Sequence, residues 1–255
     1  MLNTLMLREW LRSMLRSCIS KIFGDLMLIS HISLSDKITL LTYGCNFKCK
    51  YCFFKPLSCK KYSVDEILNK ILEVNENYKL DKILIAGGEP TLQNDLSELT
   101  KLLKDEGFYL MLSTNGYYLK DMLDKLEVDE IHIDLKAYDE NKHIYLTSCS
   151  NKKVLDCISY IGKYRDEFNF KVEIDTVLIP NIVDLDEIEK IAKFLSNWDL
   201  PYRITGYVKY NNNLNAEKPD EDKILKAKEI ALKYLSNVSC SLDFKRHKKS
   251  KKVII

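Results

Sequence analysis

The chain has 255 residues, of which 46% are hydrophobic and 30% charged, a balance that describes one large or two small folded domains and excludes a disordered chain. No apolar run reaches the ~18 residues that a membrane span needs. The formal charge is +2, but the last eleven residues hold six Lys/Arg and no acid, so the rest is net acidic at −4; a large nucleic-acid surface on the body is excluded, and nucleic acid is not expected as a partner.

In chain order, Leu7, Leu11, Met14, Leu15, Cys18 and Ile22 recur at helical spacing, with Arg8, Arg12 and Arg16 on another face. The pattern predicts an amphipathic basic helix over 5–23, packed across one end of the main domain or lying on a membrane surface or partner. The arginines break any signal-peptide core, so the eight cysteines are expected in a reducing, cytoplasmic compartment. From residue 37 strands and helices alternate. Strands are predicted at 37–43, 82–86, 109–113, 130–135, 170–179 and 202–208. Helices follow them, led by Ser63 and Glu66 as a capping box and by the apolar sets Leu96/Leu99/Leu102/Leu103, Leu119/Met122/Leu123/Leu126, Val154/Leu155/Ile158/Ile161 and Leu185/Ile188/Ile191/Leu195. A last helix is predicted over about 220–235. Six strand–helix units imply a parallel sheet, either curved into a barrel or doubly wound, and both gather ligands at the carboxyl ends of the strands. Gly44, Gly87, Gly88, Gly116 and Gly206 fall at or just after those ends.

After the first of these strands comes Gly44-Cys45-Asn46-Phe47-Lys48-Cys49-Lys50-Tyr51-Cys52. Three thiolates within eight residues can wrap one soft metal centre. A structural zinc wants four protein ligands, and the only nearby candidate, Cys59, lies beyond Pro56. Three ligands on a four-iron cluster would leave one iron open to a ligand. The spacing alone leaves iron–sulfur, zinc and no metal open. Cys18 and Cys157 sit on predicted helix faces as small hydrophobes, and spacing does not bring Cys59, Cys149 and Cys240 together.

The segment CNFKCKYC, with Tyr51 before the third cysteine, resembles the cluster loop of the radical S-adenosylmethionine (SAM) superfamily. Gly87-Gly88-Glu89-Pro90 resembles the motif that family sets against the methionine part of SAM. The resemblance implies a partial (β/α)6, TIM-like barrel over 35–210, a [4Fe–4S] cluster on Cys45, Cys49 and Cys52, and SAM on the fourth iron. An N-terminal helical extension over 1–34 and a C-terminal helix with a basic tail over 211–255 would flank it. Physically, Gly87 and Gly88 let backbone approach an ammonium or carboxylate, Glu89 can pair with an ammonium or a nearby backbone group, and Pro90 fixes the exit of the turn.

Ser113-Thr114-Asn115-Gly116, Ile133-Asp134-Leu135-Lys136, Leu146-Thr147-Ser148-Cys149-Ser150-Asn151, Leu178-Ile179-Pro180-Asn181 and Leu200-Pro201-Tyr202-Arg203 together resemble glycyl-radical-enzyme activating proteins of the pyruvate formate-lyase type. That resemblance implies that Ser113, Thr114, Asn115, Asp134 and Lys136 surround SAM. Asp134 and Lys136 lie two apart on a strand, so they must face each other, a ligand or solvent, and His132 shares their face. Ser113 stands where the activases carry an acid of a cation site, and Arg203 where they carry His; Arg203 could bind a carboxylate or a ribose hydroxyl. The expected function is reductive cleavage of SAM to a 5′-deoxyadenosyl radical, with a glycine of a partner protein as substrate and flavodoxin or ferredoxin as electron donor. The radical is borne by the cofactor, so no catalytic side chain is expected. A small molecule or RNA is the alternative substrate, and a zinc-bound α/β binding protein is the alternative of another class.

Overall fold

The computed structural model describes residues 26–244 and 251–253. The helix expected over 5–23 and most of the basic tail lie outside the described residues. The strands are β1 (Met27–Leu34), β2 (Ile38–Thr42), β3 (Lys60–Tyr62), β4 (Lys82–Gly87), β5 (Tyr109–Thr114), β6 (Glu130–Asp134), β7 (Lys171–Leu178), β8 (Tyr202–Gly206), β9 (Val238–Cys240) and β10 (Lys251–Val253). They form one sheet in the order β10-β1-β2-β4-β5-β6-β7-β8-β9, with β3 also paired to β1. Every neighbour from β2 to β9 is parallel, whereas β1 runs antiparallel to β2, β3 and β10.

The parallel strands follow one another in chain order without reversal. Crossovers of one hand then lay their helices on one face of the sheet, which removes the doubly wound alternative. The helices are α1 (Val64–Glu76), α2 (Leu96–Asp105), α3 (Glu140–Thr147), α4 (Lys152–Lys163), α5 (Leu185–Leu195) and α6 (Glu221–Ala231). The Ser63/Glu66 capping box forms, the Glu66 N–H donating to Ser63 Oγ at 3.2 Å and the Ser63 N–H to Glu66 Oε2 at 2.8 Å. Under the helices lie Ile83 and Ile85, Leu110 and Leu112, Ile131 and Ile133, Ile174, and Tyr202 and Ile204, all buried.

Several elements differ from the sequence reading. Residues 27–34, grouped with the N-terminal extension, form a strand hydrogen-bonded to β2. The third crossover is a 3-10 turn over Leu119–Lys125 rather than an α-helix; it has no side-chain cap and buries Leu119 and Leu123. The crossover from β6 to β7 holds two helices, of which only α4 carries the predicted apolar face. β8 ends at Gly206, two residues early. The C-terminal segment adds β9, parallel to β8, and part of the basic tail pairs with β1 as β10.

Candidate functional site

The face of the sheet away from the helices is polar. Register places Ser113, His132 and Glu173 in one row across β5, β6 and β7. Asp134, Asp175 and Arg203 form a second row across β6, β7 and β8. In parallel ladders such partners point to one side, so these rows line a common wall that runs toward the carboxyl ends of the strands.

The cysteine loop leaves β2 at that end. Gly44 has φ +88°, the left-handed region that glycine enters without strain. Gly87 has φ +113°, and a Cβ there would meet Thr42 O at 2.6 Å. At Gly88 a Cβ would lie 1.9 Å from Gly44 O. The two turns are therefore in backbone contact, sealed by Gly88 N–H to Thr42 O at 3.0 Å and Glu89 N–H to Gly44 O at 2.8 Å. The close approach that the glycines permit is to the cysteine loop itself.

Glu89 is 1% exposed and fully engaged. Its carboxylate accepts from Thr91 N at 3.1 Å, Thr91 Oγ1 at 2.6 Å, Thr114 Oγ1 at 2.5 Å and Asn115 N at 2.7 Å. Burial raises its pKa, and the four donors pull the other way. Of the two partners considered for Glu89, nearby protein groups rather than an ammonium take the carboxylate, and it ties the end of β5 to the Gly87-Gly88 turn. Asn115 continues the chain of contacts: its Nδ2 donates to Asn46 Oδ1 at 2.8 Å and lies 3.9 Å from Cys45 Sγ.

A second clamp comes from α3. Lys48 N–H donates to Thr147 O at 2.8 Å and Lys50 N–H to Leu146 O at 2.9 Å. Helix termination frees these carbonyls, because Ser148 turns into the left-handed region at φ +66°. Phe47 is buried edge-on against His143, with centroids 5.4 Å apart. Cys149 lies beside the loop, its thiol 3.5 Å from Asn46 O, although spacing gave no reason to bring it there. The sequence reading gave neither His143 nor Phe47 a role; a buried His on a helix with little apolar character was the available signal.

Among the described residues only His132, Glu173 and Asp175 bring three metal-ligating atoms all within 4.8 Å. The loop thiols do not converge so closely, whereas a single tetrahedral zinc would hold its sulfurs about 3.8 Å apart. The three thiols share one anchored loop, and Cys49 feels both Cys45 and Cys52, so a multi-iron centre, which takes more widely set sulfurs than a single ion, suits this donor set. Burial pushes the Cys49 thiol up to about 12, so metal capture there must displace its proton. Further groups wait for partners around the same mouth: Asn46 Nδ2, Tyr51 Oη, Tyr207 Oη and Asp175 Oδ1 are buried without a hydrogen bond among the described residues. Buried polar atoms of this kind suit a polar ligand.

Asp134 and Lys136 face each other at 2.8 Å, and the Lys136 ammonium lies 5.7 Å from the centre of the Tyr51 ring. Burial works against the Lys136 charge, but Asp134 overrides it and holds the pKa well above the ordinary value. Arg203 is committed to the wall: it pairs with Asp175, lies 3.0 Å from Glu173 Oε1 and 2.9 Å from His132 Nδ1. The cation between Glu173 and Asp175 is thus the guanidinium. Glu130 lies 2.9 Å from His132 Nε2. Burial opposes charge on His132, yet Asp175 and Glu173 outweigh it and Arg203's opposition, holding the pKa up to about 9. The alternation of Lys171-Val172-Glu173-Ile174-Asp175 could have revealed Glu173 and Asp175, since buried Val172 and Ile174 turn the acids to the other side. Pro90 opens a 3-10 turn behind Glu89 and is buried.

A family profile, the Radical SAM superfamily, matches residues 39–240. A Methanocaldococcus jannaschii protein named as a glycyl-radical enzyme activating enzyme is 30% identical over 226 residues, 84% of this chain and 92% of the relative. The pyruvate formate-lyase-activating enzyme of Staphylococcus epidermidis is 29% identical over 219 residues, 74% of this chain and 85% of the relative. A Pyrococcus horikoshii protein named as a GTP 3′,8-cyclase is 29% identical over 158 residues, 60% of this chain and 50% of the relative. The structure of Streptococcus suis SuiB bound to precursor peptide SuiA superposes with a TM-score of 0.63 at 16% identity, covering 78% of this chain and 46% of that one; that likeness speaks to the fold. No helix among the described residues is long and apolar enough to cross a membrane.

Proposed function

The chain belongs to the radical SAM superfamily, and from that premise we propose that it installs a glycyl radical on a partner protein, with Cys45, Cys49 and Cys52 as the ligands of its cluster. Membership brings a [4Fe–4S] cluster and SAM as cofactors. When bound, they supply a 5′-deoxyadenosyl radical that takes hydrogen from the substrate. The protein's own work is to hold and to seal. Gly44, Gly87 and Gly88 hold the cysteine loop against the adjoining turn. Glu89, through Thr114 and Asn115, fixes that assembly to β5. Tyr51, Ser113, Thr114, Asn115, Lys136 and Asp134 border the place where SAM would lie, and the buried phenol of Tyr51 offers a hydrogen bond there.

The observation that carries the reading is the anchored triplet: three thiols on one loop, fastened at both ends, beside orphaned buried polar atoms. The substrate class is supported by the activating enzymes that match most of this chain. Anaerobic reconstitution should load about four iron and four sulfide per chain, and Cys45→Ala, Cys49→Ala or Cys52→Ala should abolish it while Cys157→Ala does not. With SAM and dithionite, a glycine-containing peptide from a glycyl-radical protein should give 5′-deoxyadenosine together with a glycine-centred radical seen by electron paramagnetic resonance. Stoichiometric zinc without sulfide rejects the cluster. Coupled turnover with a small molecule and no protein radical favours the second reading, a small polar substrate, which the GTP 3′,8-cyclase match and the charged wall support.

A further inference from the structure

Two hollows open at the amino ends of the strands, the end of the sheet opposite the cysteine loop, and neither has a part in the function proposed above. They share one wall, the half-buried rings of Phe168 and Phe170, which stack just before β7 with centroids 5.0 Å apart. The hollow on one side holds about 520 Å³. The only cation in its lining, Lys104, is spent on Asp129 at 2.8 Å, and its remaining charges, Asp124, Glu127 and Glu167, are acids. The hollow on the other side holds about 550 Å³ and is lined differently. It runs inward from the exposed loop at Arg165 and Asp166 to Glu130 and Glu173. Glu130 is held by His132 at 2.9 Å and by the Tyr109 hydroxyl at 3.1 Å. Glu173 Oε1 is held by Arg203 at 3.0 Å and His132 at 3.4 Å, which leaves Oε2 without a hydrogen bond among the described residues and turned to the cavity. Lys171 stands opposite Glu130 in register, yet neither it nor Arg165 makes an ion pair among the described residues. Lys171 and Glu173 are two apart on β7 and point to the same side, so opposite charges are presented to the cavity within about 7 Å of each other. Phe168, Phe170 and Pro201 supply apolar wall beside them. A hollow of this size, mostly closed by apolar groups and furnished with a few convergent charges, has the make-up of a small-molecule site.

We propose that this cavity is a second ligand site, and that it takes an α-amino acid with an apolar side chain as the zwitterion. The ammonium meets Glu173 and Glu130, the carboxylate meets Lys171 and Arg165, and the side chain lies against Phe168 and Phe170. A bare anion would face two carboxylates, and a bare cation would face Lys171 and Arg165. Water would satisfy the charges and leave the rings wetted. A molecule with both charges on neighbouring atoms and an apolar group beside them answers the whole lining. The site goes beyond the radical chemistry and does not depend on the cluster. Glu173 reaches the wall above only through Arg203 and His132, so the cavity abuts the place where SAM would lie without sharing it.

The test is calorimetry on the reconstituted full chain, titrated with L-phenylalanine in the absence and in the presence of saturating SAM. A single equivalent should bind with a dissociation constant at or below about 1 mM, and SAM should not displace it. L-Phenylalaninamide, which lacks the carboxylate, and hydrocinnamate, which lacks the ammonium, should each bind at least about tenfold more weakly. Glycine, which brings no side chain to the rings, should do the same. The double variant R165E/K171E changes two exposed positions; it should keep the wild-type thermal midpoint and weaken L-phenylalanine at least about tenfold. Phe168→Ala should narrow the gap between L-phenylalanine and glycine. Chain purified without iron should bind as the reconstituted chain does, so failure of the cluster reading leaves this result standing. No binding at about 10 mM L-phenylalanine, or displacement by SAM, overturns the site. Equal affinity for L-phenylalanine and its amide, or wild-type affinity in R165E/K171E, overturns it as well.

Discussion

Gly88 and His132 show how single positions set the site. The Cβ of Gly88→Ala would overlap Gly44 O, and backbone cannot yield as a flexible side chain can. We expect this variant to lose at least about 3 kcal/mol of stability, beyond ordinary overpacking, and to lose iron and SAM binding together. Parallel measurement of thermal midpoint, iron content and SAM affinity checks this; SAM loss with full iron would mean that Gly88 meets the ligand instead. For His132 the sign follows from the direction of its shift. A folded-state pKa raised to about 9 from 6.5 makes a contribution that is complete below pH 6.5 and is lost as pH rises through 9. Urea unfolding should therefore find wild type more stable than His132→Gln by an amount of order 3 kcal/mol at pH 6 that shrinks by pH 9.5. Cys45, Cys49, Cys52 and the Gly87-Gly88 pair could be singled out from the sequence because small spacings define them. The engagement of Arg203 with Glu173 and Asp175 could not, because it joins strands through register, which no local pattern encodes.

The α3 segment makes the case for a short helix as a fastening. It buries only His143, Leu146 and Thr147, too few to give the amphipathic repeat by which the other crossover helices are recognised. Its contribution is to end on time. Ser148 sits at φ +66°, a conformation that costs a non-glycine residue about 1 kcal/mol. Ser148→Gly should match or exceed wild-type stability by up to about 1 kcal/mol. Ser148→Val should distort the turn that presents the Thr147 and Leu146 carbonyls, so its reconstituted form should surrender iron to a chelator several-fold faster than wild type. Equal release rates would show that the clamp does not hold the loop. β1 and β9 escaped the sequence reading for related reasons. β1 is buried along most of its length and lacks alternation, and β9 has only three residues.

The molecule as a whole is a sheet with ends, and both end strands, β9 and β10, are built late in the chain. The Tyr202 N–H donates to Asn237 O at 3.0 Å and the Ser241 N–H to Ile204 O at 3.0 Å, while Val238 and Cys240 are buried. The segment after residue 210 is therefore part of the sheet rather than an appendage. A chain ending at Ser236 gives up β10 beside β1 as well as β9, and should lose roughly 3–5 kcal/mol from the buried Val238 and Cys240 side chains alone. Its urea midpoint should fall sharply, and a truncated chain with the wild-type midpoint would show that β8 can serve as the edge. The alternation of strands and helices announced the parallel core because each unit repeats one period. Nothing repeated announced which segments would finish its two edges.

The α3 clamp also imposes a timetable. The Lys48 and Lys50 amides find their acceptors at Thr147 and Leu146, nearly a hundred residues further along. During synthesis at about 5–20 residues per second, the cysteine loop emerges and then waits, for a time of order 5–20 s, until α3 is translated. Through that interval three thiols face the cell with only the nearer tie, from the Gly87-Gly88 turn and Glu89, within reach. Iron delivered early meets an unfastened loop, and iron delivered after α3 has docked meets a finished one.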